Sequence, residues 1–290
     1  MKRSIFALAL AVSGITGSAA NATTILYNDF SSLAGLQVNG VTKSIHGCAG
    51  SGDGSTCGAV TDFAGNKVLR LTNNLSQSGS AFSTAAVSLA SDASFSTSFR
   101  FRFSDIQNTG ADGIVFVVQT VSNTAGGSGG GIGYAGLGNS VGIEFDNWNN
   151  GGGDGNSDNH VGIDLNGSVS SVALTNSPYV LDSGVPLTAW IDYNGATDLL
   201  EVRLSNNNTR PVAALLSYTV DLVTTLGVTD AFVGFTSGTG AAGADHDILA
   251  WQFNSTFNPI NEIGDVPAPG ALALLGLGML GVGAFRRKRI

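Results

Sequence analysis

The stretch VGIEFDNWNNGGGDGNSDNHVGID, Val141 to Asp164, sets two alternating apolar runs on either side of a loop rich in Gly, Asn and Asp. Both runs have the period of two of a β-strand, so the stretch reads as strand, loop, strand. On the first strand Glu144 and Asp146 share one face, about 7 Å apart along the chain, while Ile143 and Phe145 point to the other. Asn147 to Asn159 are all loop formers apart from Trp148, so they can fold back and bring Asn150, Asp154 or Asp158, and His160 towards the carboxylate face. Hard oxygen ligands suit Ca²⁺, and a carboxylate set that includes an imidazole suits a transition ion such as Mn²⁺. With Asp146 able to bridge, the run offers places for both ions side by side. The plain alternative is an exposed hairpin loop of the same composition.

The same period continues outward. Phe95, Thr97, Phe99, Phe101 and Phe103 alternate with polar residues, and further strand-like runs cover Gly113 to Val121, Thr188 to Tyr193, Leu199 to Leu204, Ala231 to Phe235 and Ile248 to Phe253. Asn194-Gly195 marks a turn between two antiparallel strands. No amphipathic helical run of a dozen residues appears, so an all-β, two-sheet sandwich over residues 23–258 is expected, with no linker to split it.

Both ends stand apart from that body. Residues 1–22 carry Lys2 and Arg3, the apolar run Ile5 to Val12 and then small residues, the pattern of a secretory signal peptide. After a linker, 259–269, the 16 mostly apolar residues Gly270 to Phe285 precede Arg286, Arg287, Lys288 and Arg289 within the tail 270–290. Sixteen helical residues span about 24 Å, somewhat short of a bilayer core of about 30 Å. A basic end stays cytoplasmic, so the tail reads as a marginal transmembrane anchor that holds the body outside the cytoplasm. Its three-part form resembles the PEP-CTERM sorting signal of exopolysaccharide-producing Gram-negative bacteria, which implies an exosortase-type partner and a cell-surface or matrix destination. Ala268 stands where that signal usually has Glu.

Of the 13 Lys and Arg, two lie in the leader and four in the tail, which leaves 7 against 21 acidic residues, a net −14 for the body. That excludes nucleic acid as a natural partner and favours divalent cations. Cys48 and Cys57, in the Gly/Ser-rich segment HGCAGSGDGSTCG, are expected to form a local disulfide in an exported protein. The Gly-rich stretch Gly126 to Gly138 is followed by no Gly-Lys-Ser/Thr, which excludes a nucleotide cradle.

Ten blocks in one order resemble the legume-type (L-type) lectin family: DFSSLAGLQVNG from Asp29, KVLRLTNN, SGSAFSTAAVSL, FSTSFRFRFS, ADGIVFVV, GGGIG, VGIEFDNWNN, NHVGIDLNGSVSS, AWIDYNGATDLLEVRL and VGFTSGTG…HDILAWQF. The resemblance covers nearly the whole body and implies the concanavalin-like jelly-roll β-sandwich and sugar binding without catalysis. It matches Glu144, Asp146 and His160 to the transition-metal ligands. It matches Asp146, Asn150 and the backbone carbonyl of Trp148 to the calcium ligands. The aspartate shared by both ions normally stands five residues before the histidine, where this chain has Gly155; Asp154 is the first choice for it and Asp158 the second.

For the sugar, the family uses an aspartate that accepts from two adjacent hydroxyls, an asparagine amide, a backbone N–H of a glycine loop and an aromatic ring. Two charge-assisted bonds on one pre-oriented carboxylate suit a weakly apolar ligand. Asp112 matches the aspartate, and the family holds its Ala–Asp peptide cis. Asn150 matches the amide, so it touches both calcium and sugar. Gly130, or Gly131 beside it, matches the loop glycine. Trp148 stands at the position of the ring, though a core tryptophan would read the same. Gly240 to Ala244 match the specificity loop, where Ala241 and Ala242 offer backbone groups only. His246 and Asp247 read as structural, and His46 carries no signal. A glycoside hydrolase on the same jelly roll and a matrix or adhesion protein without sugar binding are the rival functions. Family members often pair edge to edge, which implies a possible homo-oligomer.

Overall fold

The alternation of apolar and polar residues becomes two antiparallel sheets in the computed structural model, which describes residues 22–46, 67–88, 93–127, 129–228 and 230–263. Among these the strands are β1 (Thr24–Tyr27), β2 (Leu36–Gly40), β3 (Lys43–His46), β4 (Lys67–Thr72), β5 (Ser78–Ser83), β6 (Val87–Ser88), β7 (Phe95–Gln107) and β8 (Gly113–Gln119). They continue as β9 (Ser140–Asp146), β10 (His160–Leu165), β11 (Ala173–Asn176), β12 (Leu187–Asn194), β13 (Leu199–Ser205), β14 (Leu216–Thr219), β15 (Asp230–Gly238) and β16 (Gly243–Asn254). One sheet runs β14-β13-β12-β7-β16-β4-β3, with β1 also on β16; the other runs β11-β10-β9-β8-β15-β5-β2, with β6 also on β15. The runs named from the sequence fall on strands whose ends differ by a few residues, β1 to β6, β11 and β14 lie outside those runs, and one short helix, α1 (Leu222–Leu226), interrupts the β pattern.

The leader, all but its last residue, the Cys48–Cys57 pair and the tail 270–290 lie outside the described residues. Neither a transmembrane span nor a disulfide therefore gains support: among the described residues no helix is long and apolar enough to cross a membrane.

The inward residues of β7 decide the core. Phe95, Phe99, Phe101 and Phe103 are buried with Phe116 and Phe145 of the facing sheet and Phe235 and Trp251. Phe99 meets Phe235 edge to face at 4.9 Å and Phe101 meets Phe145 at 4.9 Å. Such rings bury large apolar areas and add a further ~0.5–1.5 kcal/mol per pair through their geometry. Thr97, the one polar member of the alternation, accepts the Trp251 indole N–H at 3.0 Å and donates to the Gln252 carbonyl at 2.8 Å, so its hydroxyl is satisfied inside.

A second, smaller cluster lies on the other face of β8, where Val115 and Val117 meet Ile132, Tyr134 and Leu137. It pins the Gly-rich segment against the sheet. On the β4/β16 pair, buried Arg70 spans both Asp247 oxygens at 2.7 and 2.8 Å and reaches Asp245 at 2.6 Å, a charge cluster that fixes the strand entering from residues 240–242. His246 sits between the sheets with Nδ1 2.7 Å from Thr72 Oγ1 and 3.1 Å from Ser237 Oγ, and burial pushes its pKa down to about 3, so it is neutral. The structural reading of His246 and Asp247 fits this packing.

Candidate metal and ligand site

Strand register assembles the site. Asp146 on β9 lies directly opposite His160 on β10 and Gly113 on β8, and Gly113 lies opposite Gly238 on β15. One row across four neighbouring strands therefore carries Asp146 and His160, with Asp112 immediately before it and residues 239–242 immediately after it. Ile143 and Phe145 point into the core, as the alternation requires.

Glu144, Asp146 and His160 are all buried and present ligand atoms within 4.8 Å of one another. His160 Nδ1 is 3.1 Å from the Ser157 carbonyl, which can only accept, so Nδ1 carries the proton. Nε2 is left 3.3 Å from Glu144 Oε1 with no hydrogen-bond partner. A carbonyl on the far nitrogen is the usual support for a ligating imidazole, and a cation between Nε2 and the carboxylate would satisfy both. The donor set thus fits a divalent transition ion.

Close approach here depends on Gly162, where a Cβ would come within 2.3 Å of Glu144 Oε1. Ser171 Oγ also donates to that oxygen at 2.6 Å. Burial, with Glu144 next, holds the Asp146 carboxyl well above the usual range, although the Trp148 N–H donates to its Oδ1 at 2.6 Å.

The loop separates the two candidate aspartates. Asp154 closes a short 3₁₀ turn, Gly152–Asp154, is buried, and accepts from the Asn150 N–H. Burial raises its pKa, the Asn150 N–H opposing the rise. Gly155 follows with φ 61°, a left-handed conformation that favours glycine over the aspartate the family pattern would put there. Asp158 is exposed.

The sugar-type residues converge beside this cluster. Ala111–Asp112 is a cis peptide, and the Asp112 N–H donates to the Gly238 carbonyl at 3.2 Å. Asp112 is buried, its Oδ2 has no hydrogen-bond partner, and burial pushes its pKa up to about 6. Gly130 lies against Asn150: a Cβ there would stand 2.6 Å from Asn150 Nδ2, whereas one on Gly131 would meet Ala135. Gly240 faces Asp112 Oδ2, 3.7 Å from where its Cβ would be. Ala241 is exposed and Ala242 buried; the Ala241 carbonyl accepts from Asn108 Nδ2 at 2.9 Å. Trp148 is half-buried and borders a cavity of about 430 Å³.

Three participants were not found by reading the sequence. Asp164 shares the face of His160 and Gly162, is buried beside Glu144, and is pushed up to about 9 by burial and that neighbour. Strand alternation contained this signal. Ser171 and Asp182 had none, since each arrives from another segment.

The legume lectin domain family matches residues 56–268, and the PEP-CTERM protein-sorting motif matches residues 265–289. Agglutinin-2 of Cladrastis kentukea is 38% identical over 174 residues, covering 56% of this chain and 58% of that protein. The L-type lectin-domain containing receptor kinase VIII.1 of Arabidopsis thaliana is 35% identical over 172 residues, 57% of this chain and 24% of that much longer protein. The structure of peanut lectin with a 9mer peptide superposes with a TM-score of 0.62 at 27% identity, covering 81% of this chain and 97% of that one.

Proposed function

This chain belongs to the legume lectin domain family, and from that premise we propose that it is an exported, calcium-dependent carbohydrate-binding protein without catalytic activity. The observation that carries the reading is the buried Asp112 carboxylate, with Gly240 facing its Oδ2 and Gly130 lying against Asn150, beside the Glu144, Asp146, His160 cluster. Glu144, Asp146, Asp154 and His160 would hold a transition ion such as Mn²⁺. Asp146, Asn150, Asp154 and the Trp148 carbonyl would hold Ca²⁺. When bound, the ions supply fixed positive charge that neutralises the carboxylates and holds the 147–154 loop. Asp112 accepts from two sugar hydroxyls, Asn150 Nδ2 and the Gly130 N–H donate, and the loop Ala241–Ala242 borders the ring through its backbone. Trp148 supplies an apolar face.

A glycosidase reading fares worse. A retaining pair needs two free carboxyls roughly 5–5.5 Å apart on an open sugar. Glu144 and Asp146 are buried, and Ser171 and the Trp148 N–H already occupy them. The printed names of two solved relatives mention sugars, GalNAc for the lectin of Bauhinia forficata and galactose for lectin UEA-II, which supports neutral glycans as the class to try first. The sorting motif at 265–289 supports export, an exosortase-type partner and C-terminal anchoring in a Gram-negative envelope.

The test is a glycan array probed with the full chain in calcium and manganese, paired with a reducing-sugar assay. Retention of a defined glycan set with no release of reducing ends is expected. Turnover of a bound polysaccharide, or no glycan retained, would overturn the reading. Gly130→Ala, which pushes a methyl onto the Asn150 amide, is expected to weaken retained glycans roughly tenfold, the scale of one hydrogen bond, with an unchanged melting temperature.

A further inference from the structure

We propose that the outer face of the β7 sheet, over β7, β12 and β13, rests against the phospholipid bilayer that holds the chain, so that the Asp112 site faces away from it. The proposal rests on C-terminal anchoring through the sorting motif at 265–289.

After β16 the chain turns back over that face. The Asn258 N–H donates to Ser96 Oγ on β7 at 3.0 Å, and the Asn261 carbonyl accepts from the Arg210 N–H at 3.3 Å. The Arg210 guanidinium in turn pairs with Asp192 on β12. Ile260 and Ile263 are buried, so the chain is packed down as far as its last described residue. Six residues, 264–269, separate Ile263 from the apolar run that starts at Gly270, a link that spans at most about 25 Å. Glu144 and Asp146 point out of the other sheet, beyond the core that holds Ile143 and Phe145. To turn that side to the bilayer, the link would have to pass two strand spacings to the β14 edge and then the thickness of the sandwich, about 10 Å plus about 20 Å. It is too short for that route.

Charge is divided the same way. Lys43 lies on β3, Lys67 and Arg70 on β4, Arg100 and Arg102 on β7, Arg203 on β13 and Arg210 over β12, so every Lys and Arg of the body belongs to the β7 sheet. The strands of the other sheet carry Glu144, Asp146, Asp164 and Asp230 with no Lys or Arg, and its loop adds Asp154 and Asp158. Over β7, β12 and β13, Arg102, Arg203 and Arg210 are matched by Asp247, Asp192 and Glu201, and Arg100 offsets the exposed Glu262. At physiological salt charges are screened beyond about 8 Å, less than the roughly 10 Å between sheets, so a bilayer meets chiefly the charges of the near side. An anionic bilayer therefore repels the metal-site face and does not repel this one.

Arg100 supplies the contact. Its guanidinium is half-buried, with no hydrogen bond or ion pair among the described residues. Burial alone pulls its pKa down, whereas carboxylates push that of Arg70 up. A lipid phosphate brings the charge-assisted partner that the protein leaves out. Docked in this way, the domain offers Asp112 to glycans of the matrix or of another cell and not to sugars on the lipids beneath it.

The test places the full chain in vesicles of phosphatidylethanolamine and phosphatidylglycerol with a short-range quencher on a lipid headgroup. A fluorophore is coupled to an azido residue encoded at Asn206, exposed where the chain leaves β13, or at Ser170, exposed beside Gly153 of the metal-site loop. Co-flotation with the vesicles, loss of Asn206 emission and unchanged Ser170 emission are expected. Arg100→Gln should lower the ratio of quenched to free Asn206 about fivefold, the effect of one arginine at an anionic surface, with co-flotation and melting temperature unchanged. Salt at about 1 M should lower the ratio too, and needs no variant. Equal emission at the two positions, or Asn206 quenching that either Arg100→Gln or salt leaves intact, overturns the docking face. Asn206 emission spared because two chains crosslink through this face overturns it in favour of a second copy. A full chain that fails to float overturns the anchoring reading and the docking face together.

Discussion

Stripping divalent cations with EDTA is expected to abolish glycan binding and to lower the melting temperature by roughly 5–10 °C. A ligand at a hundred times its Kd contributes about 2.7 kcal/mol to the folded state, and a domain of this size shifts about 2–4 °C per kcal/mol. The metal-free protein should also have an inverted pH response. Asp112 and Asp182 are pushed up to about 6, Asp146 well above the usual range and Asp164 to about 9, in each case chiefly by burial. A carboxyl whose folded pKa is raised binds its proton more tightly when folded, so stability falls as pH climbs from the unfolded value towards the folded one. Without metal, the melting temperature should therefore rise as pH is lowered from 8 to 5. With metal it should fall over the same range, because protons compete for the ligands. Thermal melts in EDTA and in calcium plus manganese across that range decide the matter; parallel curves, or glycan binding that survives EDTA, would remove the metal from the mechanism.

Asp112→Ala is expected to cost at least about a hundredfold in glycan affinity and nothing in stability. Two charge-assisted hydrogen bonds leave with the carboxylate, each worth about 1.5–3 kcal/mol. The protein itself gives that carboxylate little: it is 3% exposed and its Oδ2 has no partner. Its folded pKa of about 6 means that the charged form opposes folding from about pH 4 upward, with the full penalty above about 6. At pH 7.5 the metal-free variant should then melt no lower than the parent. Calorimetric titration with an array-selected glycan, beside melts of both proteins, checks the pair of claims. Retained affinity would move the sugar away from Asp112.

The legible part of the molecule was the part governed by local alternation. Phe95 to Phe103 and Val141 to Asp146 declare their faces because neighbouring side chains point to opposite sides, and the core contains the residues this assigns. The cluster of Glu144, Asp146 and His160 was legible for the same reason, since Glu144 and Asp146 are two apart and His160 opens the next strand of a hairpin. The different burial of Asp154 and Asp158 was not. It depends on a turn of three residues and a left-handed Gly155, and both aspartates read alike in a loop of Gly and Asn. Contacts that span the fold left no trace in the sequence: Asn147 meets Asp182 over 35 residues, Ser171 meets Glu144 over 27, and Arg70 meets Asp247 over 177.

The row Gly238, Gly113, Asp146, His160 has a consequence for change over time. Every member of it is tied to a neighbour by main-chain pairing, so a substitution there disturbs a strand, the Glu144, Asp146, His160 cluster or both. The segment 240–242 differs: it hangs from the Gly238 end of the row, small, partly exposed and held largely by backbone bonds. Lengthening or recolouring that segment should alter which glycan fits and leave the Glu144, Asp146, His160 cluster untouched. The domain thus separates what must stay constant from what is open to variation, and a library confined to those few positions should yield new sugar preferences on an unaltered frame.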